Sequence, residues 1–484
     1  MIAEISERLR QAAALMTEFG SLRVLLALAR RRGVQVYLVG GTVRELALGG
    51  RTPDLDVAVS HHTLDLAKEL AQALGGTYVP LDEKERTARV VVGAEILDLA
   101  EFRGPTLEDD LRGRDFTINA MALDLTKLLS GEPPQLIDPL GGLADLASGR
   151  VRMVAEANLA YDPLRLLRAY RFAATHGFKV TPETEGAICR LAPAISRVAG
   201  ERLHYELFQL LAPLRAGVVL KELSRVGLLT EIFPELSNLK GVAQNGYHHL
   251  DVFDHSLETV CQLETVLARP EHFFHTLATA VRKEAKLPGK PEILKVAALF
   301  HDIGKPPVKE RRRHPERYTF YHHERVGVEI FQTAARRLRF SHTETRLVSH
   351  FILWHMRPFL LLPLFVRGEL TVRALGRLVK AARGEIPGGF ALAMADSLAG
   401  QGPQKPPDAE EHLGKLGEAA WRFYQERLMV QARQPRLITG DDLCALGLTP
   451  GPEFRRLLAA VEEAQWEGQV TTREEALALV KTLI

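Results

Sequence analysis

Three cysteines in 484 residues, Cys189, Cys261 and Cys444, lie too far apart to form a Cys-x-x-Cys pair. Neither a disulfide framework nor a zinc knuckle follows, and a reducing cytoplasm is the expected location. Net charge is nearly absent too: 62 Lys and Arg against 60 Asp and Glu leave +2. Binding to nucleic acid would therefore rest on local basic surfaces rather than on overall charge. No clean apolar run is long enough to span a membrane. The most apolar window, residues 351–366, is broken by His355, Arg357, Pro358 and Pro363, and reads as a buried helix and turn. The N-terminal MIAEISERLR is charged and helical, with no secretory h-region. There is no internal repeat and no low-complexity segment. The expectation is a cytoplasmic protein without a membrane, its oligomeric state open.

What is present is ordinary for a globular chain: 46% hydrophobic and 25% charged residues, long enough for three or four subdomains. Residues 1–33 read as one or two amphipathic helices ending in Arg30-Arg31-Arg32, with Gly33 as the cap. From 34 to about 125 the pattern is mixed. Short strands are expected at 36–39, 57–59, 89–92 and 96–99, and helices at 63–74 and 117–125. After about Gly149 the period is helical and strand signals end. The class is α+β: a small mixed α/β head followed by a long helical body. Hinges are expected at Gly131-Glu132-Pro133-Pro134, at 234–246 and at 399–407.

The chemistry concentrates in residues 38–59, LVGGTVRELALGGRTPDLDVAV. Residues two apart on a strand face one side, so Asp54 and Asp56 point into one space while Leu55 points away. Two adjacent carboxylates repel unless a cation lies between them, which makes this pair a candidate divalent-metal site. Gly40-Gly41 at a strand-to-helix turn lets backbone N–H groups approach a phosphate. Downstream, Gly113-Arg114-Asp115-Phe116-Thr117-Ile118-Asn119 puts an Arg, an Asp and an Asn at a helix start, where they can grip sugar hydroxyls and phosphates. In YDPLRLLRAYRF, Asp162, Arg165, Arg168 and Arg171 fall at three-residue steps and share about half of one helix surface. A carboxylate beside guanidiniums can read a base edge and hold a triphosphate.

GGTVRELALG, PDLDVAV, GRDFTINAMAL and YDPLRLLRAYRFAATHGF, in that order, resemble the motifs of the class II tRNA nucleotidyltransferase and bacterial poly(A) polymerase family, and LIDPLGGLADLASGRVRMV resembles its head-to-neck connector. The resemblance covers roughly the first 210 residues. It implies a polymerase-beta-like head at 1–148 and a helical neck at 149–240. Asp54 and Asp56 would be catalytic and hold Mg²⁺ for two-metal phosphoryl transfer. Gly40, Gly41 and Arg44 would hold the triphosphate, and Arg114, Asp115 and Asn119 the ribose and phosphates. Asp162 and Arg165 would read the Watson–Crick edge of CTP or ATP, and Arg168 and Arg171 would assist on the phosphates. Asp98 is a possible third carboxylate, though a plain strand residue is the simpler reading. Three residues depart from the family pattern: Glu45 stands where Asp is usual, Gly113 replaces an Arg, and Tyr161 replaces an acidic residue.

Twelve of the 17 histidines lie between His248 and His355. His255, His301-Asp302, His323, then His350 or His355, then Asp396 keep the order H…HD…H…H…D, with imidazoles and carboxylates suited to a divalent metal. The pattern resembles the HD phosphohydrolase superfamily. It implies an HD domain at 241–402 with His255, His301, Asp302, His323, His350 and Asp396 as ligands to Mg²⁺, Mn²⁺ or Ni²⁺. A phosphodiesterase or phosphatase activity would follow. His248, His249, His272, His275, His314 and His322 read as structural. The tail at 403–484 reads as a helical segment for packing or for contact with the tRNA body, packing being the simpler reading.

Between Phe102-Arg103 and the acidic Leu107-Glu108-Asp109-Asp110 only Gly104-Pro105-Thr106 remain. In the resembled family so short a loop is associated with CC-adding enzymes. The expectation is tRNA 3′-end synthesis from CTP and ATP, with CC-addition ahead of CCA-addition. Poly(A) polymerase is the nearest alternative; a regulatory nucleotidyltransferase or a non-catalytic RNA-binding scaffold fits less well.

Overall fold

The computed structural model of the chain describes residues 2–484 apart from 17–18, 51, 53, 131–134, 314–315 and 433–434. The hinge expected at Gly131-Glu132-Pro133-Pro134 and the histidine His314 lie outside the described residues. The chain folds as two compact units: residues 1–210 with 222–232, and 211–221 with 233–484.

In the first unit, α1 (Ile2–Met16) and α2 (Gly20–Arg32) come first. Gly33 caps α2 in the left-handed region at φ 68°, a conformation that suits glycine. β1 (Val36–Val39), α3 (Gly40–Ala47), β2 (Asp54–Val59), α4 (Thr63–Leu74), β3 (Thr77–Asp82), β4 (Thr87–Val92), β5 (Glu95–Glu101), α5 (Leu107–Arg112), β6 (Ala122–Asp124) and β7 (Leu136–Ile137) follow. The seven strands form one sheet in the order β3-β4-β5-β2-β1-β6-β7. β2 and β5 run parallel, and the other neighbours antiparallel. Val36 pairs with Val59 and Leu38 with Val57, so these four buried side chains share one face. That register leaves Asp54 and Asp56 on the opposite face.

Three expectations need correction. The helix expected at 117–125 is a 3₁₀ turn, Thr117–Asn119, followed by β6, which pairs with β1 through Leu38 and Leu123. Ala120, Met121, Ala122 and Leu123 are all buried, and a continuous apolar run carries no period to separate helix from strand. β3, unforeseen, is an edge strand of mostly exposed residues including Pro80. Strands also persist beyond Gly149: Arg150–Val151 pairs with Lys179–Val180, and β8 (Glu310–Arg313) with β9 (Glu316–Thr319). These pairs are short and charged, so no apolar alternation announces them. The neck helix α6 (Leu164–His176) and α7 (Gly200–Leu211) complete the elements needed here.

The second unit is built on α8 (Val252–Ala268), α9 (Thr276–Glu284), α10 (Lys290–Phe300), α11 (His323–Arg337), α12 (His342–Trp354), α13 (Arg357–Val366), α14 (Val372–Ala381) and α15 (Ile386–Ala399). Among the described residues, the stretch His342–Val366 is long and apolar enough to cross a membrane by length and composition. It is two helices, broken between Trp354 and Arg357. The expected burial is only partial: Phe351, Ile352 and Trp354 are buried, while Leu360 and Val366 are exposed. The tail helices α16 (Pro452–Trp466) and α17 (Arg473–Leu483) share an apolar cluster that includes Leu457, Val461, Ala476 and Val480.

Lys290, at the start of α10, pairs with Glu385 just before α15 and lies 3.8 Å from Glu284 at the end of α9. Burial, with Glu385 adding to it, pushes the Glu284 carboxyl up to about 7, against the opposing pull of Lys290 and the Gly388 N–H. A carboxyl raised on folding binds its proton more tightly in the folded state, so stability falls as pH rises from the unfolded value through 7. Glu284→Gln is therefore expected to raise Tm at pH 8 and to leave it nearly unchanged at pH 4.5, measured by thermal melts across that range. An equal effect at both values would refute the assignment.

Candidate functional site

Gly40 and Gly41 open α3 directly behind β1, and Gly40 has φ +61°. A Cβ on Gly40 would lie 2.8 Å from Arg114 Nη1 and 3.2 Å from Asp56 Oδ2; one on Gly41 would lie 2.8 Å from the same oxygen. Both positions must be bare for the turn to close over the Asp56 carboxylate. Thr42 fixes the approach: its Oγ1 donates to the Asp54 carbonyl at 3.3 Å and accepts from the Asp56 N–H at 2.7 Å. Leu55 is buried on the far face, as the strand period requires.

Burial raises the Asp56 carboxyl above the usual range; Arg114 opposes the rise and Asp98 adds to it. Asp98 sits opposite Asp56 in the parallel β2–β5 register, so a third carboxylate shares the face. The sequence treats it as a plain strand residue because the signal lies in strand pairing, not in local spacing. Arg89 clamps Asp98 through both oxygens, at 2.7 and 2.8 Å. A half-buried carboxylate with a carboxylate neighbour and an open glycine turn is a donor set suited to a divalent cation.

Arg44, Asn119, Asp115 and Arg168 form one continuous network. Arg44 Nη1 donates to Asn119 Oδ1, Asn119 Nδ2 donates to Asp115 Oδ1 at 3.0 Å, and Arg168 Nη2 meets Asp115 Oδ2 at 3.2 Å. Burial drives the Asp115 carboxyl up, but Arg168, Asn119 and Arg165 outweigh it and hold it below the usual range. Glu45, one of the three departures, accepts from Arg44 at 2.9 Å and lies 3.8 Å from His176 Nε2. Arg114 is gripped by Asp110 at 2.9 and 3.1 Å, and Asp110 also meets Arg103 at 3.3 Å. Arg44 and Arg171 lie over the Phe172 ring, at 4.7 and 4.3 Å from its centroid. Arg171 also bonds Glu206 at 2.7 Å.

Asp162 and Arg165 are not paired with each other. Arg165 donates to the carbonyls of Gly113 and Asn158 at 3.2 and 3.1 Å, while Asp162 pairs with Arg202 at 2.8 Å. Arg202, on α7, is a partner that the motifs did not reveal.

The second unit gathers its own cluster. His255, His301 and Asp396 offer ligand atoms within 4.8 Å of one another, as do Asp302, His323 and His355. Asp302 links the two groups: His301 Nε2 lies 3.1 Å from its Oδ2, and His323 Nε2 3.3 Å from its Oδ1. The Nδ1 atoms of His301, His323 and His355 sit 2.8, 2.8 and 2.6 Å from backbone carbonyls three residues earlier. Carbonyls only accept, so each Nδ1 carries a proton, which leaves each Nε2 as the atom that would face a bound metal. His323 Nε2 and His355 Nε2 face each other at 3.2 Å. Two lone pairs at that distance fit a shared cation and not a hydrogen bond. Burial pushes His355 down to about 3, keeping it neutral as a metal ligand must be.

His350, taken as a ligand from the sequence, is not in this cluster. Its Nε2 lies 3.0 Å from the Ala382 carbonyl. Five residues on a helix turn it about 140° away from His355, so the two cannot face one centre. Spacing alone left the choice open, and only the packing of α12 against α10 and α11 resolves it. Two further residues were missed. Lys305 Nζ meets Asp302 Oδ2 at 2.6 Å, and the His248 ring stands edge-on to His255 at 4.5 Å. Burial pushes His248 down to about 3.

Three family models match the chain: the Poly A polymerase head domain at residues 36–152, the probable RNA and SrmB-binding site of polymerase A at 177–240, and the HD domain at 252–399. The chain is 35% identical to an A-adding tRNA nucleotidyltransferase of Deinococcus radiodurans, over 92% of this chain and 94% of the relative. It is 36% identical to a CC-adding tRNA nucleotidyltransferase of Thermus thermophilus, over 92% of each. The fold is similar to that of a Thermotoga maritima CCA-adding enzyme solved with tRNA, at a TM-score of 0.63, 21% identity, and coverage of 96% of this chain and 94% of that one.

His355→Ala is expected to weaken Mn²⁺ binding by about 10–100-fold or more, judged from metal content after dialysis, whereas His350→Ala binds as the wild type does. Equal retention in the two variants would remove His355 from the ligand set.

Proposed function

The chain belongs to the tRNA nucleotidyltransferase family, and from that we propose that it extends the 3′ end of tRNA with cytidines from CTP and stops before the terminal adenosine. It is an enzyme that adds nucleotides to tRNA without a nucleic-acid template. The stopping point, the residue roles and the identity of the ions are our own reading. The observation that supports it is the β1–β2 register, which puts Asp54 and Asp56 on one face, with Asp56 against the Gly40-Gly41 turn and Arg114 at its mouth.

In this reading Asp54 and Asp56 hold Mg²⁺, which when bound lowers the charge barrier at the α-phosphate and activates the primer hydroxyl. The bare Gly40-Gly41 turn lets the triphosphate approach backbone N–H groups, and Arg44 and Arg114 supply positive charge there. Asn119 and Asp115 orient Arg44 and Arg168 through the network described above, so the guanidiniums are placed before a nucleotide arrives. Asp162 and Arg165 read the base edge. Arg165 is already aimed by two carbonyls, whereas Asp162 must exchange Arg202 for the base. Arg168 and Arg171 line the phosphate side.

The short connection between β5 and α5, Phe102–Thr106, supports stopping after CC. The 35% identity to an A-adding relative favours, as second reading, addition of A alone. We assign the work to a head at 1–148, a neck at 149–240, an HD domain at 241–402 and a tail at 403–484, in a cytoplasmic enzyme. At the HD centre, His255, His301, Asp302, His323, His355 and Asp396 fit a divalent metal such as Mg²⁺, Mn²⁺ or Ni²⁺ and a phosphohydrolase activity.

A tRNA lacking its CCA end, incubated with CTP and ATP and sequenced at its 3′ terminus, is expected to end in CC. A product ending in CCA overturns the CC-only reading, addition only to tRNA already ending in CC favours the A-adding one, and long A tails on unstructured RNA favour a poly(A) polymerase. Asp54→Ala with Asp56→Ala should cut incorporation about a thousandfold, the rate equivalent of several kcal/mol of metal stabilisation. His301→Ala should abolish Mn²⁺-dependent hydrolysis of a phosphodiester while sparing CTP incorporation; hydrolysis by neither protein would make the HD centre non-hydrolytic.

A further inference from the structure

Some arginines of the second unit are matched to carboxylates. On α14, Arg373, Arg377 and Lys380 all reach carboxylates of α16: Glu467 and Glu463, Glu463, and Glu462. Arg282 and Arg456 have their own glutamates. Four arginines without such partners gather in one place. Arg325 on α11, Arg346 on α12, Arg357 at the start of α13 and Arg383 just after α14 line one groove of about 660 Å³. None makes a side-chain hydrogen bond or ion pair among the described residues.

Among the described residues, Glu329 is the only acidic one lining the groove, and His342 and His350 line it as well. Four guanidiniums gathered around one carboxylate raise the local potential, and an anion relieves it. The wall also holds a polar group without a partner. Ser349 Oγ is closed off from solvent and makes no hydrogen bond, although a helical serine can ordinarily donate to the carbonyl four residues earlier. Leu353, 42% exposed, and Val328 give the same groove an apolar strip. A bare phosphate ion would leave most of this space unfilled, while the volume falls within the range of sites for small organic ligands.

We propose that the groove between α11 and α12 binds a nucleoside phosphate, with the arginines on the phosphate and the strip of Leu353 and Val328 against the base. Guanidinium forks match phosphate oxygens in pairs, and an apolar strip beside them suits a flat ring. The site is separate from both centres above. No residue of the metal cluster lines it; His323 lies two residues from Arg325, about 160° around α11 from it. It does not rest on the reading of either activity. Two sources supply this chemistry, a strand of RNA or a free nucleotide.

Photolabelling of the full-length protein followed by peptide mapping separates them. One arm uses a short single-stranded RNA carrying 4-thiouridine, the other 8-azido-ATP. Label on peptides from 325–357 is expected, falling roughly tenfold for each arginine removed in Arg346→Glu and Arg383→Glu. A second pair, Arg325→Ala with Arg357→Ala, should act in the same direction, with unchanged melting curves certifying the fold. Label from the RNA arm identifies a strand as the occupant, and label from the azido-ATP arm alone identifies a free nucleotide. Absence of label there in both arms, or label that survives all four substitutions, overturns the proposal.

Discussion

Buried carboxylate is what both units have to accommodate. An uncompensated buried charge costs several kcal/mol, so each must be met by a cation or by a set of hydrogen bonds. In the first unit arginine does this repeatedly: Asp98 with Arg89, Asp110 with Arg103 and Arg114, Asp115 with Arg168, Asp145 with Arg150 and Arg152. Asp56 is the exception. It lies between a glycine turn and another carboxylate, and its pKa is raised rather than lowered. In the second unit Asp302 is ringed by His301, His323 and His355, whose Nδ1 protons point outward to carbonyls, and carries Lys305 as a permanent cation, while Asp396 meets His255 Nε2 at 3.0 Å. Where the chain supplies too little positive charge of its own is where a metal ion fits.

The scaffold follows from that requirement. In the head, a three-element core of β1, β2 and β5 is enough to place Asp54, Asp56 and Asp98, because register decides which face each occupies. A slip of one residue in β1–β2 would bury the aspartates and expose Leu55. In the second unit the ligands come from helix ends: His301 follows α10, His323 opens α11 and His355 follows α12. At those positions the ring can bond a carbonyl of its own last turn or of the preceding one, so tautomer and aim are set locally. The Lys290–Glu385–Glu284 group ties the far ends of α9, α10 and α15 and so bears on the positions of His301 and Asp396.

What the sequence revealed depended on range. Features fixed by neighbours along the chain were legible: β1, α4, the Gly33 cap, the glycine turn, and the opposed facing of Leu55 and the two aspartates. Motif order carried the rest of the head's candidate residues. Features fixed by packing were not. His350 and His355 are equally plausible by spacing, and α12's rotation excludes one. Asp98 carries no local signal until β5 lies parallel to β2. The strand Ala122–Asp124 resembles a helix because it continues the buried apolar run from Ala120, and Arg202 becomes visible only when α7 meets the start of α6.

In the proposed reading, the connection between β5 and α5 bears on nucleotide choice because it is held at both ends. Arg103 is tied to Asp110 by its backbone N–H and its guanidinium, and Thr106 and Asp109 form a reciprocal cap on α5. Gly104 lies so close to Asp109 that a Cβ would come within 2.5 Å of its side chain. Five residues pinned in this way cannot swing far, and the same Asp110 that holds Arg103 also aims Arg114 into the head. A base-reading pair that must accept first cytosine and then adenine needs two arrangements of similar energy, with some element to move between them. Arg165, bonded to the carbonyl of Gly113 just beyond α5, is instead coupled to a fixed turn, which leaves Asp162 and its exposed partner Arg202 as the adjustable part. If this pair reads the base as proposed, one movable carboxylate beside one immobile guanidinium would suit a single pyrimidine edge read repeatedly, which is what the proposed stop after CC requires.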